Sequence, residues 1–205
     1  MYLLPSFKYI PYIPRGSQKA LEALAKGYLL PKTLHPHHDG LSAEQKAQLT
    51  RDEAGYAGLL EDVQDVKDVL VLICGHGGRD ARCGVLGPVL RDEFEKVLGL
   101  TGYSVQNGSK VPNSNNKPNG KVGAKVGLIS HIGGHKLAGN AIIYMPPNLK
   151  TESGAGHPLA GHGIWYGRIE PRHVDGIVRE TLLKGNVVKD LLRGGIDAER
   201  RILRL

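Results

Sequence analysis

Two short apolar runs, each followed by a glycine-dense turn, constrain the fold of this chain more than any other feature. The first run, VLVLI at 69–73, leads into CGHGGRDARCG, and the second, VGLI at 126–129, leads into SHIGGHKLAGN. Continuous β-branched and leucine-rich runs of this length are typical of strands buried on both faces. If the two strands are parallel neighbours, their turns lie side by side, where open α/β sheets bind ligands. The sequence therefore predicts an α/β fold with one site built from two distant turns.

The two turns hold four residues of the types that bind metals. Cys74 and Cys83 are the only cysteines of the chain, and His131 and His135 stand four positions apart across two glycines. Two thiolates with two imidazoles suit zinc or an iron–sulfur cluster, because soft sulfur and borderline nitrogen match these metals. Glycines in both turns allow the backbone to approach a ligand closely. His76, beside Cys74, is the main rival ligand.

The spacing of these residues supports zinc and an iron–sulfur cluster about equally. The histidines fit the H-x3-5-H spacing of structural zinc sites, but the cysteines, with eight residues between them, exceed the usual C-x2-4-C. A Rieske cluster also uses two cysteines and two histidines. Its motifs each pair one cysteine with one histidine, whereas here the two types occupy separate turns. The zinc alternative describes a zinc-stabilised interaction domain without redox function.

Three charged residues between the cysteines bear on the state of the thiols. Guanidinium groups favour the thiolate form, which is the ligating form, so we expect Arg79 and Arg82 to lower the thiol pKa values. With Asp80 they surround the site. Their expected role is an internal ion pair that orients the loop, and the alternative is donation to the sulfurs of a bound cluster. A further hypothesis is a thiol-disulfide oxidoreductase in which Cys74 and Cys83 form the redox couple.

The stretches CGHGGRDARCG, HIGGHKLAGN, AIIYMPP and GIWYGRIEPRHV resemble the sucrase/ferredoxin-like family of thioredoxin-like ferredoxins over about 68–183. The resemblance implies an electron-transfer protein, rather than an enzyme with its own substrate, whose partners are other redox proteins. It favours a mitochondrial over a cytoplasmic location. Members of the family have more sequence ahead of this region, so we expect a shortened form. The implied ligands of a [2Fe–2S] cluster are Cys74, Cys83, His131 and His135.

The predicted elements divide the chain into three parts. Residues 1–67 form a proline-broken, partly helical extension, residues 68–185 a thioredoxin-like ferredoxin domain, and residues 186–205 a basic helical tail. Within the middle part the order is β-α-β, then β-β-α. Ser42 and Gln45 match a capping box at the start of a helix. The predicted helices are 17–28, 42–66, 85–98 and 171–184, the strands are 69–73, 126–129, 141–145 and 163–169, and a surface loop covers 101–125.

Charge and cysteine content narrow the function classes. The chain has 27 basic and 20 acidic residues, which gives a net charge of +7. This charge is scattered, with few aromatic residues beside it, so we expect no nucleic-acid partner. No run of 18 apolar residues is present, and we expect no membrane-spanning segment. Two cysteines are too few for a secreted disulfide scaffold, which favours an intracellular location.

Overall fold

A computed structural model describes residues 1–107, 122–133, 138–151 and 153–203 of the chain. The chain divides into two units, Met1–Val66 and Lys67–Leu205. Both cysteines lie in the second unit, which is built on a seven-stranded mixed sheet flanked by helices. The α/β class predicted from the sequence is confirmed.

The first unit contains short elements around its own apolar cluster. The capping box is confirmed, because Ser42 accepts from the backbone N–H of Gln45 and the Gln45 side chain accepts from that of Ser42. The prediction of a single helix over 42–66 is wrong, because the backbone is extended at Thr50 and the segment forms two short helices instead. No residue of these two helices is buried. The elements are β1 (Tyr2–Leu3), β2 (Lys8–Tyr9), α1 (Gln18–Leu24) with a π-helical turn (Ala25–Leu29), α2 (Ala43–Leu49), α3 (Glu53–Tyr56) and β3 (Gln64–Asp65).

Strand β4 (Val69–Cys74) is the centre of the large sheet and is buried on both faces along most of its length. It pairs in parallel with β6 (Gly123–Ile129), and it pairs antiparallel with β7 (Ala141–Tyr144) on its other side. Cys74 therefore lies opposite Ile129, and both strands end at the same edge of the sheet. The predicted parallel pairing of the two apolar runs is confirmed.

The sheet extends on both sides of this centre. On one side a parallel strand follows β6, and on the other side antiparallel strands follow β7. The strand order is β10-β9-β8-β7-β4-β6-β5. The outer strands are β5 (Ser104–Asn107), β8 (Gly163–Tyr166), β9 (Leu192–Ile196) and β10 (Ile202–Leu203).

Two helices pack on the sheet and complete the main core. Helix α4 (Ala81–Leu100) follows β4, and α5 (Pro171–Ile177) follows β8 and continues as a π-helical stretch (Val178–Lys184). Gly185 ends this stretch in the left-handed conformation, as predicted. Helix α4 begins four residues before the predicted start, so Pro88 lies in its interior rather than in its first turn.

Two predictions about irregular and terminal segments are wrong. The stretch 101–125 is not wholly a loop, since it contributes β5 and the start of β6; residues 108–121 of the predicted loop lie outside the described residues. Apart from a 3-10 turn (Lys189–Leu191), the described part of the tail, 186–203, is not helical, because β9 and β10 continue the antiparallel side of the sheet beyond β8. Gly194 and Gly195 disfavour a helix at this position, and the edge of β8 supplies hydrogen-bonding partners.

Across the parts of the chain that the structure describes, no helix combines the length and the apolar character needed to cross a bilayer.

Candidate metal centre

The carboxyl ends of β4 and β6 bring the two glycine-dense turns together. Because the strands are in parallel register, the backbone N–H of Gly75 donates to the carbonyl of Ile129 at 3.0 Å, just beyond the end of β4. On the other side, the N–H of Cys74 donates to the carbonyl of Asn140 at 3.0 Å. The backbone at Cys74 is thus fixed between the turn that contains His131 and the start of β7.

Cys83 reaches the same place from the first turn of α4 rather than from a loop. Asp80 caps this helix, since its carboxylate accepts from the backbone N–H of Arg82 at 2.9 Å. The backbone N–H of Cys83 then donates to the carbonyl of Asp80 at 3.0 Å. Because the helix starts before Cys83, the position of this thiol is set by regular backbone geometry.

Two glycines of α4 allow the helix to approach the end of β4 at backbone distance. A Cβ atom on Gly84 would lie 2.6 Å from the Cα atom of Gly77. A Cβ atom on Gly87 would lie 2.8 Å from the carbonyl oxygen of Cys74. A side chain at either position would overlap this backbone, so the close approach of the helix to the strand end and to the following turn requires both glycines.

The structure brings together three of the four predicted ligands. One donor atom each from Cys74, Cys83 and His131 lies within 4.8 Å of the other two. The Cys74 Sγ atom is 3.8 Å from the His131 Nδ1 atom. Both thiols are free and buried, with 2% exposure for Cys74 and 1% for Cys83, and His131 is half-buried. The fourth predicted ligand, His135, lies outside the described residues.

The thiol of Cys83 is held in its protonated form by its surroundings. Burial is the largest cause, and it raises the pKa of Cys83 to about 11, with further contributions from Cys74 and Asp80. The guanidinium of Arg82 acts in the opposite direction but is the smallest cause. Arg82 thus acts on Cys83 in the expected direction, but desolvation outweighs the guanidinium charge, so the thiolate is not the favoured form.

The charged residues between the cysteines form the expected ion pair. Arg82 Nη2 lies 2.8 Å from Asp80 Oδ2, and Arg82 Nε also donates to the Asp80 carboxylate. Arg79 is exposed. Direct interaction of Arg79, Asp80 or Arg82 with the sulfurs of a bound cluster stays a prediction. His76 is also exposed and does not belong to the cluster of three donor residues found among the described parts of the chain.

Sequence reasoning did not single out Asn140, Trp165 or Arg193 as parts of this site. Asn140 is fully buried, and its side-chain Oδ1 accepts from Arg193 Nη1 at 2.9 Å. The Arg193 guanidinium lies over the Trp165 ring, 4.4 Å from its centroid. Arg193 lies in the tail that the sequence predicted to be helical, so its position beside β8 was not evident from the sequence.

The sequence profile of the family described as sucrase/ferredoxin-like matches residues 1–194. The match therefore covers the first unit as well as the part of the chain where the resemblance was seen in the sequence.

Three curated relatives share the name Altered inheritance of mitochondria protein 32. The relative from Meyerozyma guilliermondii is 33% identical over 201 residues, which cover 96% of this chain and 57% of the relative. The relative from Debaryomyces hansenii is 40% identical over 133 residues, which cover 65% of this chain and 38% of the relative. The relative from Clavispora lusitaniae is 41% identical over 128 residues, which cover 61% of this chain and 34% of the relative. The matched regions thus span from about a third to just over half of the relatives' length.

Proposed function

The chain belongs to the sucrase/ferredoxin-like family, and we propose that it is an electron carrier that binds a [2Fe–2S] cluster. Its ligands are Cys74, Cys83, His131 and His135. The observation that carries this proposal is the convergence of two thiols and one imidazole within 4.8 Å, from segments far apart in the chain. The relatedness to a family described as ferredoxin-like supports electron transfer as the purpose of that convergence.

The donor set fits such a cluster chemically. Iron–sulfur clusters are held by cysteine thiolates, and imidazole nitrogen replaces thiolate in some of them. His135 follows His131 after three residues, which is within the H-x3-5-H spacing at which one segment supplies two imidazoles to a metal. Neutral imidazoles make the bound cluster less negative than four thiolates would, which favours its reduced state.

The three described donor residues would have different roles because they differ in solvent exposure. When bound, a [2Fe–2S] cluster supplies one-electron transfer without bond making in a substrate. Cys74 and Cys83 lie in the protein interior and exclude water from the sulfur side of the site. His131 is half-exposed, which makes it the described donor closest to solvent and to a docked partner. With Nδ1 near Cys74, its Nε2 atom is the position at which this ring would hold or release a proton.

We also propose that the second unit has a thioredoxin-like fold. The strand order β8-β7-β4-β6 supports it, with one parallel pair, two antiparallel pairs, and a helix after β4 and after β8. In this arrangement the site lies at the carboxyl end of the central strand.

The proposed partners are redox proteins, namely a reductase and an electron acceptor, with no nucleic acid or membrane among them. The proposed location is the mitochondrion, with the cytoplasm as the alternative. The name shared by the curated relatives supports the mitochondrial assignment.

A second candidate function is a zinc-stabilised interaction domain. Tetrahedral zinc with bonds of about 2.0–2.3 Å places its ligand atoms roughly 3.3–3.8 Å apart. The three donors within 4.8 Å of one another come close to this arrangement around a single ion. The third candidate, a thiol-disulfide oxidoreductase, is supported by the proximity of two free thiols, but the raised pKa of Cys83 opposes a reactive thiolate there.

Anaerobic purification of the chain followed by metal analysis separates these functions. The proposal predicts reddish-brown protein with visible absorption and with iron and acid-labile sulfide in equal amounts. Colourless protein with one zinc ion would replace it with the second candidate. Metal-free protein with a reversible Cys74–Cys83 disulfide would replace it with the third.

A further inference from the structure

Arg193 occupies an irregular position in β9, next to the candidate metal centre. In the pairing of β8 with β9, Trp165 lies opposite Gly194, whereas the next residue, Tyr166, lies opposite Leu192. Arg193 is therefore the extra residue of a β-bulge. Bulges redirect the side chain of the inserted residue and occur frequently beside functional sites. Here the bulge directs Arg193 across the sheet surface toward the turn that contains His131.

The guanidinium of Arg193 has two specific contacts. It stacks on the Trp165 ring, with 4.4 Å between its carbon atom and the ring centroid. Its Nη1 atom donates to Asn140 Oδ1 at 2.9 Å. A planar guanidinium makes both contacts at once, whereas a lysine ammonium lacks the flat fork that this geometry requires.

Two glycines leave the space that this side chain fills. A Cβ atom on Gly133, two residues after His131, would lie 2.8 Å from Arg193 Nη1 and 2.9 Å from the Trp165 ring. A Cβ atom on Gly167 would overlap the Cδ atom of Arg193. The turn after His131 is thus in direct backbone contact with the guanidinium and with the ring on which it stacks.

Asn140 joins this arrangement to the cysteine side of the site. Its side chain accepts from Arg193, and its backbone carbonyl accepts from the N–H of Cys74 at 3.0 Å. We propose that Arg193 is a positioning residue that holds the His131 turn and the end of β4 in their relative places through Asn140. This inference rests on the proposed metal-binding function of Cys74, Cys83 and His131.

The placement of the charge fits this role. The Arg193 guanidinium is partly withdrawn from water. This burial lowers the pKa of Arg193, and the nearby positive charge of Arg168 acts in the same direction. Charges act on each other more strongly where water is partly excluded. The hydrogen bond to Asn140 and the stacking on Trp165 are strengthened accordingly.

The test uses Arg193→Lys and Arg193→Met, with Arg168→Met as the matched control. Arg168 is exposed and donates to the carbonyl of Asp190, so its removal deletes the same charge nearby without touching Asn140. Co²⁺ is titrated into the metal-free full chain, and its affinity is read from thiolate-to-cobalt absorption. The urea midpoint of the metal-free protein is measured in parallel, as is the rate at which reconstituted iron–sulfur protein loses its visible absorption.

Loss of a residue that orients metal ligands typically weakens binding about 10–100-fold, and we expect both Arg193 variants to weaken Co²⁺ binding in this range. The rate of colour loss rises in the same variants, and their urea midpoints stay close to that of Arg168→Met. Unchanged Co²⁺ affinity with a lowered urea midpoint would overturn the proposal, because Arg193 would then be purely structural. Wild-type affinity in Arg193→Lys would also overturn it, since charge alone would suffice.

The same experiment separates this inference from the proposed function. Wild-type protein that binds Co²⁺ but forms no iron–sulfur cluster contradicts electron transfer and leaves the Arg193 comparison intact. Wild-type protein that binds neither Co²⁺ nor an iron–sulfur cluster would show that this is not a metal site, which overturns both proposals.

Discussion

The Sγ atom of Cys74 lies 3.8 Å from the Nδ1 atom of His131, although the two residues are 57 positions apart in the chain. The parallel register of β4 and β6 produces this contact, because Cys74 is the last residue of β4 and His131 lies two residues beyond the end of β6. Cys83 completes the group from the first turn of α4. Each of the following predictions concerns one physical element of this arrangement.

Replacing His131 by Ala removes a ligand and leaves both thiols in place. We expect Co²⁺ affinity to fall by more than the roughly 10–100-fold that is typical of residues outside the ligand shell. Titration with a thiol reagent still counts two cysteines. The matched control is His76→Ala, which removes an exposed histidine beside Cys74. Equal losses in the two variants would contradict the assignment of His131.

The metal-free protein should lose stability as the pH rises from about 9 to about 11. Burial raises the pKa of Cys83 from its ordinary value of 9.0 to about 11, so the unfolded chain ionises first and is favoured over this interval. Below pH 9 the thiol is protonated in both states and the effect is absent. Urea unfolding at several pH values measures it.

Cys83→Ser is the control for this pH dependence, since it removes the titrating thiol from the same helix turn. Its stability should show a smaller decrease over the same interval. Alkylation of Cys83 by iodoacetamide should likewise stay slow near neutral pH and accelerate only well above it. Fast alkylation at pH 7 would show that the thiol is exposed or ionised.

Gly87→Ala should destabilise the fold by about 1–3 kcal/mol, the usual range for overpacking. The added methyl group would meet the Cys74 carbonyl oxygen at 2.8 Å and the Gly75 Cα atom at 2.9 Å, and neither backbone atom yields easily. Gly99→Ala, in the same helix, has open space around the new methyl group. This control should stabilise the protein by about 0.5–1 kcal/mol, and thermal unfolding of both variants tests the contrast.

Asp80→Ala should cost about 1 kcal/mol through loss of the helix cap. The carboxylate accepts from the N–H of Arg82, and the ion pair adds little because the Arg82 side chain is largely exposed. Asp80→Asn keeps the capping oxygen and should stay near wild type in thermal unfolding. Co²⁺ affinity should fall in the alanine variant alone, because Cys83 lies in the turn that the cap fixes. Equal behaviour of the two variants would contradict this.

Three features were predictable from sequence patterns: the α/β class, the parallel pairing of the two apolar runs, and the grouping of Cys74 and Cys83 with His131. These features follow from local patterns, because buried strands require continuous apolar residues and parallel neighbours place their following turns together. The end of the last helical stretch at Gly185 was predictable for the same reason, since a glycine accepts the left-handed conformation at low cost.

Three other features depend on how the folded chain packs. The tertiary structure placed Cys83 in the first turn of α4, where burial overrides the nearby guanidinium charge in setting the pKa. It recruited the tail into β9 and β10, because the open edge of β8 offers backbone partners that no local pattern reveals. It also brought Arg193 onto Asn140, a contact between residues 53 positions apart that depends on one bulge in the strand pairing. Burial, edge pairing and register are properties of the assembled sheet, so they follow from packing rather than from any single stretch of the chain.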